Sequence, residues 1–226
     1  MYDYLKLLKY CALSYENFQP FDGSDRLISI NCSNSGVQYY IRIIKDTMHI
    51  TFRGTDSFKD ILTDAKFSGH SPKFCNTDKR IKIHRGFLSA YLSEGIAKRI
   101  HSYITDEIKE IFICGHSYGG ALSLICAYEL NCYFPHINFH TIVFGCPRTG
   151  NRAFAQNFNK LLPDTVRIEN GNDIITKLPP PVFGYRHVGR VIHIGSPKIP
   201  GIYSITDHSV GKYIKNLKSG HTYKTS

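Results

Sequence analysis

The sequence predicts an α/β fold in a single domain that spans residues 1–226. Strand-like and helix-like segments alternate along the chain, which is typical of this fold class. Neither a Pro/Ser/Gly-rich linker, nor an internal repeat, nor an abrupt change of composition divides the chain. Because 42% of the 226 residues are hydrophobic, the chain can bury a sizeable core.

The leading segment predicts an amphipathic helix that covers one side of the fold. Its charged residues Asp3, Lys6 and Lys9 are spaced among apolar residues such as Leu5 and Leu8. A signal peptide has an uncharged core, so this segment does not resemble one. No run of about 18 apolar residues occurs, and no transmembrane helix is predicted.

The cysteine pattern predicts reduced thiols and an intracellular, cytoplasmic location. The seven cysteines are odd in number and include no C-x-x-C pair, which argues against a disulfide framework. They lie at Cys11, Cys32, Cys75, Cys114, Cys126, Cys132 and Cys146. Isoleucine outnumbers leucine, which is typical of AT-rich genomes such as those of large DNA viruses and some protists.

The charge balance predicts a transient contact with an anionic surface. The chain has 28 Lys and Arg against 18 Asp and Glu, a formal charge of +10. Such a charge attracts anionic membrane surfaces or nucleic acid, and charge alone does not choose between them. No block of about five basic residues and no nucleic-acid motif occurs, so a nucleic-acid partner is the weaker alternative.

A G-x-S-x-G motif at residues 115–119 predicts a nucleophile elbow centred on Ser117. The apolar run 110–114 before it predicts a buried strand, and residues 121–130 after it predict a buried helix. A serine on a strained strand-to-helix turn projects its hydroxyl, and the flanking glycines let neighbouring backbones pass without a Cβ clash. The motif therefore indicates acyl transfer by a serine nucleophile.

The base and the orienting acid should follow the nucleophile in the order Ser, Asp or Glu, His. Of the acids Asp164, Glu169, Asp173 and Asp207, Asp173 alone comes just beyond a strand-like run, at residues 166–168. Of the histidines beyond it, His208 precedes a helix-like segment and follows a loop, whereas His193 lies in a strand-like run. Placement leaves alternatives open: Asp173 as an ordinary turn acid, His208 as an exposed helix-start residue, and Asp207 as that helix's N-cap.

Several segments in order resemble the class 3 lipases. They are Ile50-Thr51-Phe52-Arg53-Gly54-Thr55, His84-Arg85-Gly86-Phe87, the elbow at residues 114–122, Phe144-Gly145-Cys146-Pro147-Arg148-Thr149-Gly150-Asn151, Asn172-Asp173 with residues 178–189, and Asp207-His208-Ser209 with Tyr213. The resemblance covers residues 26–217. It implies an α/β-hydrolase-like, mostly parallel central sheet flanked by helices, and a catalytic triad of Ser117, Asp173 and His208 without metal or cofactor. It also implies scaffold roles for His84, His116 and His187.

The same resemblance implies an oxyanion hole and a lid. The oxyanion donors would be the backbone N–H of Tyr118 and a second group at Thr55, which could otherwise be a strand-end turn residue. The lid would be the segment 57–65, in which Phe58, Ile61 and Leu62 share one apolar helical face. A permanently packed surface helix fits this periodicity equally well, and the family's common lid tryptophan is absent.

The predicted function is hydrolysis of carboxylic esters of lipids, acylglycerol or phospholipid, through an acyl-enzyme. The partner would be a lipid or another hydrophobic ester. Only 34 residues separate Asp173 from His208, so the loops that shape an acyl pocket are predicted to be short. Two alternatives are a soluble carboxylesterase acting on short-chain or aryl esters and a catalytically silent scaffold at a membrane surface.

Overall fold

The computed structural model describes residues 3–15, 26–32, 36–54, 68–74, 78–196, 199–220 and 222–223. The helices in these ranges are α1 (Tyr4–Leu13), α2 (Arg85–Leu92), α3 (Ile96–His101), α4 (Tyr118–Tyr133), α5 (Arg152–Leu161) and α6 (Val210–Lys218). The strands are β1 (Arg26–Asn31), β2 (Gln38–Ile44), β3 (Thr47–Phe52), β4 (Gly69–His70), β5 (Ile83–His84), β6 (Glu110–His116), β7 (Asn138–Phe144), β8 (Gly150–Asn151), β9 (Val166–Asn170), β10 (Tyr185–Arg186), β11 (Arg190–Ile194) and β12 (Thr222–Tyr223).

An eight-stranded sheet in the order β1-β2-β3-β6-β7-β9-β11-β12 forms the centre of the fold. The strands from β3 to β11 in this order pair in parallel, whereas β1, β2 and β12 pair antiparallel at the two edges. The predicted mostly parallel sheet flanked by helices is therefore confirmed. A smaller antiparallel sheet contains β10, β8, β5 and β4 in that order.

Helices cover both faces of the large sheet, so successive residues of its central strands pack into two different cores. Ile113 of β6 and Val143 of β7 contact the core formed with α4. Their neighbours Cys114 and Phe144 point the other way and pack with α1 and α6. This alternation follows from the two-residue period of a strand and explains why the central strands are apolar on both faces.

The helix that follows the elbow is buried nearly all round. In α4 every residue from Tyr118 to Leu130 is buried, as the continuous apolar run predicts. Its one buried acid, Glu129, accepts hydrogen bonds from the Tyr91 hydroxyl at 3.1 Å and from His101 Nε2. The elbow therefore lies between this buried central helix and the sheet.

The predicted leading helix is confirmed as α1. Asp3 is its N-cap and accepts a hydrogen bond from the Lys6 backbone N–H at 2.9 Å. Leu7, Leu8 and Cys11 form its buried face against the sheet and α6. In the part of the chain that the structure describes, no helix has the length and apolar character needed to cross a membrane.

Four loops follow the carboxyl ends of parallel strands and lie together at that end of the sheet. They contain Gly54 after β3, Ser117 after β6, Gly145 after β7 and Asp173 after β9. In open α/β sheets, ligand-binding crevices form beside the carboxyl ends of the strands. The topology thus brings together residues that are far apart in the sequence.

Candidate active site

Ser117 lies at the sharp turn between β6 and α4. Its φ is 59° and its ψ is −124°, a strained conformation for a residue other than glycine. The Ser117 backbone N–H donates to the Phe144 carbonyl at 2.9 Å, which ties the turn to the end of β7. This is the strand-turn-helix context that the motif predicts.

The two glycines of the motif are required by close backbone contacts. A Cβ added to Gly115 would lie 2.3 Å from the carbonyl oxygen of Gly119. A Cβ added to Gly119 would lie 2.3 Å from the carbonyl oxygen of Phe52, at the end of β3. The glycines therefore allow α4 to start directly against both β6 and β3.

His208 links Ser117 to Asp173 through two hydrogen bonds. It ends a 3₁₀ turn at Thr206–His208, just before α6. Its Nε2 lies 2.7 Å from Ser117 Oγ and its Nδ1 lies 2.8 Å from Asp173 Oδ2. Because a carboxylate only accepts, Nδ1 carries the hydrogen and Nε2 accepts from the serine hydroxyl. The three predicted residues thus form one continuous chain of hydrogen bonds.

The Asp173 carboxylate is buried and is held by three donors. Besides His208, the Tyr213 hydroxyl donates to Oδ2 at 2.7 Å and the Ile175 backbone N–H donates to Oδ1 at 2.9 Å. A buried carboxylate needs such donors to offset its lost hydration. Burial first, and then the charge of Asp173, raise the pKa of Tyr213, so the phenol stays protonated and remains a donor. The structure thus places the Asp173 carboxylate in direct contact with His208 and Tyr213.

The contact of Tyr213 with the acid was not predicted from the sequence. The sequence places Tyr213 only within the segment that resembles the family's histidine segment. The sequence does contain a signal for this contact, because Tyr213 is the buried residue of α6, a helix that also carries three exposed lysines. A hydroxyl on such a buried position requires a polar partner, but the sequence does not name that partner.

Gly145 lets the loop after β7 pass directly beside the His208–Asp173 pair. Its φ is +56°, a conformation that favours glycine. An added Cβ would lie 3.0 Å from Asp173 Oδ2 and 3.0 Å from His208 Cε1. The loop backbone itself therefore forms one wall of the site.

The proposed alternative for Asp207, an N-cap, is wrong. Ser209 is the N-cap of α6, and its side chain accepts a hydrogen bond from the Lys212 backbone N–H. Asp207 Oδ2 instead accepts from the Asn172 backbone N–H at 2.9 Å, while Oδ1 accepts from Lys212 Nζ at 2.9 Å. Asp207 thereby connects the loop that holds His208 to the loop that holds Asp173.

The other histidines named from the sequence have structural contacts. His187 Nε2 donates to the Thr176 carbonyl at 2.8 Å and lies 3.8 Å from Glu169. His84 is fully buried against Phe87, and burial lowers the pKa of His84 to about 4. His193 lies in β11, as predicted.

Tyr118 is the first residue of α4 and directly follows Ser117. The first backbone N–H groups of a helix are not used by the helix itself, so this position suits an oxyanion donor. Thr55 and the predicted lid residues Phe58, Ile61 and Leu62 lie outside the described residues. Gly54, immediately before Thr55, is described, and its neighbour Arg53 contacts the first turn of α4 at Gly119.

Comparison with known proteins finds lipases of fungi and plants. The chain is 31% identical over 162 residues to a lipase of Rhizopus niveus, a match that covers 67% of this chain and 40% of that protein. It is 28% identical over 174 residues to secreted mono- and diacylglycerol lipase 1 of Fusarium solani, covering 74% and 50%. It is 32% identical over 148 residues to the chloroplastic phospholipase A(1) DAD1 of Arabidopsis thaliana, covering 58% and 33%. The chain thus spans half or less of the length of these relatives.

These relatives correct the intracellular, cytoplasmic location expected from the sequence. The Fusarium solani relative is a secreted lipase, and a secreted mono- and diacylglycerol lipase of Malassezia globosa matches as well. The expectation was wrong because it treated unpaired cysteines as a sign of the compartment. Five of the described cysteines are buried, and a buried cysteine packs as a small hydrophobic residue in any compartment.

Solved structures and a family model agree with the fold. Lipase II from Rhizopus niveus superposes with a TM-score of 0.76 at 24% identity, covering 90% of each chain, which shows the shared fold. The model of the family Lipase (class 3) matches residues 49–183, more than half of the chain. This matched range contains the elbow, the loop with Gly145 and the loop with Asp173. The chain therefore belongs to the class 3 lipase family.

Proposed function

We propose that the protein is a serine hydrolase that cleaves carboxylic ester bonds of lipids. The observation that carries the proposal is the continuous hydrogen-bond chain from Ser117 Oγ through His208 to the buried Asp173. Membership of the class 3 lipases supports the ester as the reacting group. The relatives' names, lipase and phospholipase A(1), support an acyl ester of a lipid as the substrate.

In the acylation step, Ser117 Oγ attacks the ester carbonyl carbon and its proton passes to His208 Nε2. Asp173 holds the imidazole in the tautomer that can accept this proton and stabilises the imidazolium that forms. The tetrahedral intermediate collapses when His208 returns the proton to the leaving alcohol oxygen. A water molecule that gives a proton to His208 then attacks the acyl carbon, the bond from this carbon to Ser117 Oγ breaks, Oγ regains the proton from His208, and the fatty acid leaves.

The oxyanion that forms during both steps needs preorganised donors. We assign this role to the backbone N–H of Tyr118 and, from the sequence pattern, to Thr55. Each donor of this kind contributes about 3 kcal/mol in the transition state. The close contact of Gly119 with the end of β3 supports the pairing, because it brings the residues before Thr55 beside the first turn of α4. Phe58, Ile61 and Leu62 remain the proposed apolar face of a lid.

The loop that precedes His208 supports contact with aggregated lipid. Ile199, Ile202, Tyr203 and Ile205 are each more than half exposed. This loop is joined to the acid loop, since Asp173 pairs with Ser204 in a β-bridge and the Ile199 N–H donates to Asn172 Oδ1 at 3.0 Å. Apolar side chains beside the site can enter a lipid surface, and the formal charge of +10 favours an anionic one.

The test is hydrolysis of three substrates by wild type and by Ser117→Ala: short-chain p-nitrophenyl esters, emulsified triacylglycerol and anionic phospholipid vesicles. Ser102→Ala, at an exposed serine, is the matched control. Turnover of the aggregated lipids that is lost only in Ser117→Ala is the expected result. Activity confined to the dissolved esters would indicate a soluble carboxylesterase instead. No turnover by wild type, with no fluorophosphonate label on Ser117, would contradict hydrolysis.

We also propose that residues 1–226 form a single domain. The large sheet includes strands from β1 to β12, and this supports a single folded unit. One cooperative unfolding transition, coincident in far-ultraviolet circular dichroism and tyrosine fluorescence, is expected. Two separate transitions would argue for two domains.

A further inference from the structure

Tyr15, just beyond the end of α1, contacts the nucleophile elbow. Its hydroxyl oxygen lies 3.0 Å from Nδ1 of His116, the residue before Ser117, although the two residues are 101 positions apart. The guanidinium of Arg53 lies over the Tyr15 ring at 5.7 Å from its centroid. The ring is therefore held between the end of β3 and the elbow.

The direction of each hydrogen bond at His116 follows from its partners. His116 Nε2 lies 2.8 Å from the backbone carbonyl oxygen of His208, and a carbonyl only accepts, so Nε2 carries the hydrogen. Burial first, and then the nearby His208, lower the pKa of His116 well below its ordinary value, so the ring is neutral. Nδ1 is then an acceptor, and the Tyr15 hydroxyl donates to it.

The same hydroxyl occupies the space above Gly54. A Cβ added to Gly54 would lie 1.9 Å from the Tyr15 hydroxyl oxygen and 2.9 Å from the His116 carbonyl oxygen. Gly54 directly precedes Thr55, the proposed oxyanion residue. One phenol thus touches the strand end that leads to the oxyanion loop and the residue that precedes the nucleophile.

The His116 ring also contacts the base itself. The rings of His116 and His208 lie 4.6 Å apart at 30°, and the Tyr213 ring meets His116 edge-on at 5.5 Å. A neutral ring at this position limits the rotation of the His208 side chain without opposing the positive charge that His208 gains when it takes the serine proton. His116 therefore contacts both the backbone and the ring of the base.

We propose that Tyr15 and His116 are positioning residues for the acyl transfer. The Tyr15 hydroxyl selects the His116 tautomer whose Nε2–H holds the backbone carbonyl of His208, and this keeps Nε2 of the base aimed at Ser117. The inference rests on the proposed function and adds a role for the segment after α1, which lies outside the range matched by the family model.

The experiment compares Tyr15→Phe, His116→Gln and His116→Leu on a soluble p-nitrophenyl ester. Tyr15→Phe keeps the ring under Arg53 and removes only the donor. We expect its kcat to fall about 10- to 100-fold, the loss that small misplacements of a catalytic group cause, with KM changed less than about twofold. The rate of fluorophosphonate labelling of Ser117 should fall by a similar factor. His116→Gln, whose amide can still donate to His208, should keep more activity than His116→Leu.

Tyr10→Phe is the matched control, because Tyr10 lies on α1 and its hydroxyl accepts from Arg42 at 2.6 Å, away from the elbow. Wild-type kcat and labelling rate in Tyr15→Phe, or an equal loss in Tyr10→Phe, would overturn the positioning role while leaving the proposed function intact. A wild-type protein that fluorophosphonate does not label would overturn both.

A second measurement needs no variant. Long-range ¹H–¹⁵N spectra of the wild-type protein report which nitrogen of a histidine carries hydrogen. We expect His116 to show an unprotonated Nδ1 and a protonated Nε2. The opposite tautomer would overturn the proposal even if every variant failed to fold.

Discussion

Tyr213 and His208 donate to the same carboxylate oxygen of Asp173, at 2.7 Å and 2.8 Å. The two donors come from consecutive elements, the 3₁₀ turn and α6, so the fold of residues 206–218 orients both the base and the group that anchors its acid. The Tyr213 hydroxyl also accepts from the Asn170 backbone N–H at 3.1 Å, which joins it to the end of β9. Through Tyr213, the Asp173 carboxylate is thereby anchored both to β9, the strand before it, and to α6, the helix that follows His208.

Tyr213→Phe should weaken both activity and stability. Removing the phenol leaves the buried Asp173 with one donor fewer, and hydrogen bonds to charged groups contribute about 1.5–3 kcal/mol. We expect the free energy of unfolding in urea to fall by about this amount and kcat to fall about tenfold. Tyr133→Phe, at a half-exposed tyrosine, is the control and should change neither quantity. Unchanged kcat in Tyr213→Phe would show that His208 and the Ile175 backbone N–H suffice to orient the acid.

Gly145→Ala should lower activity because the added methyl group would meet Asp173 and His208, in addition to any backbone strain. Gly184 has an even more positive φ of +83° with nothing within 4 Å of an added Cβ, whereas Gly145 would meet Asp173 and His208. Both alanine variants should lose about 1 kcal/mol of stability from the left-handed conformation. Only Gly145→Ala should also lose kcat, by about tenfold or more. Equal kcat in the two variants would remove Gly145 from the wall of the site.

We expect Asp207 to make the free energy of unfolding depend on pH. Burial alone would raise the pKa of its carboxyl, but the Asn172 backbone N–H and the Lys212 ammonium outweigh burial and hold this pKa below the ordinary 3.8. A carboxyl whose pKa is lower in the folded state stabilises the fold above its unfolded pKa, and this contribution is lost as pH falls through the folded pKa.

The difference in unfolding free energy between wild type and Asp207→Asn should therefore be present at about pH 6 and shrink below about pH 3. Urea unfolding at several pH values measures it. Asp164→Asn, which removes an exposed carboxyl, is the matched control. A difference that grows as pH falls would have the wrong sign and would exclude this role for Asp207.

Ile202→Ser should separate lipid contact from chemistry. Ile202 is 51% exposed in the loop before His208, and burying the exposed half of an isoleucine side chain in lipid contributes about 1 kcal/mol. We expect binding to anionic vesicles in sedimentation assays to weaken by about fivefold, with unchanged turnover of a dissolved ester. Leu161→Ser, at an exposed leucine on α5, is the control. Equal vesicle binding by wild type and Ile202→Ser would place the lipid contact elsewhere.

The sequence by itself determined the elements that depend on neighbours in the chain. The strand before Ser117, the turn with its two glycines and the buried helix after it are all local features. Apolar periodicity and turn chemistry act over a few residues and are visible in a sequence. Chain order and placement left alternatives open for the acid and the base, and the resemblance to the class 3 lipases selected Asp173 and His208, which the structure joins to Ser117 by hydrogen bonds.

Only the tertiary structure decided which distant groups become partners. Tyr15 and His116 meet across 101 positions and Tyr213 and Asp173 across 40, because α1 and α6 pack side by side on the same face of the sheet. No local pattern encodes such a contact, since it depends on how a helix docks and on which buried hydroxyl must find an acceptor. For the same reason, the sequence showed that Gly145 belonged to a family motif, while its contact with Asp173 and His208 emerged only from the fold.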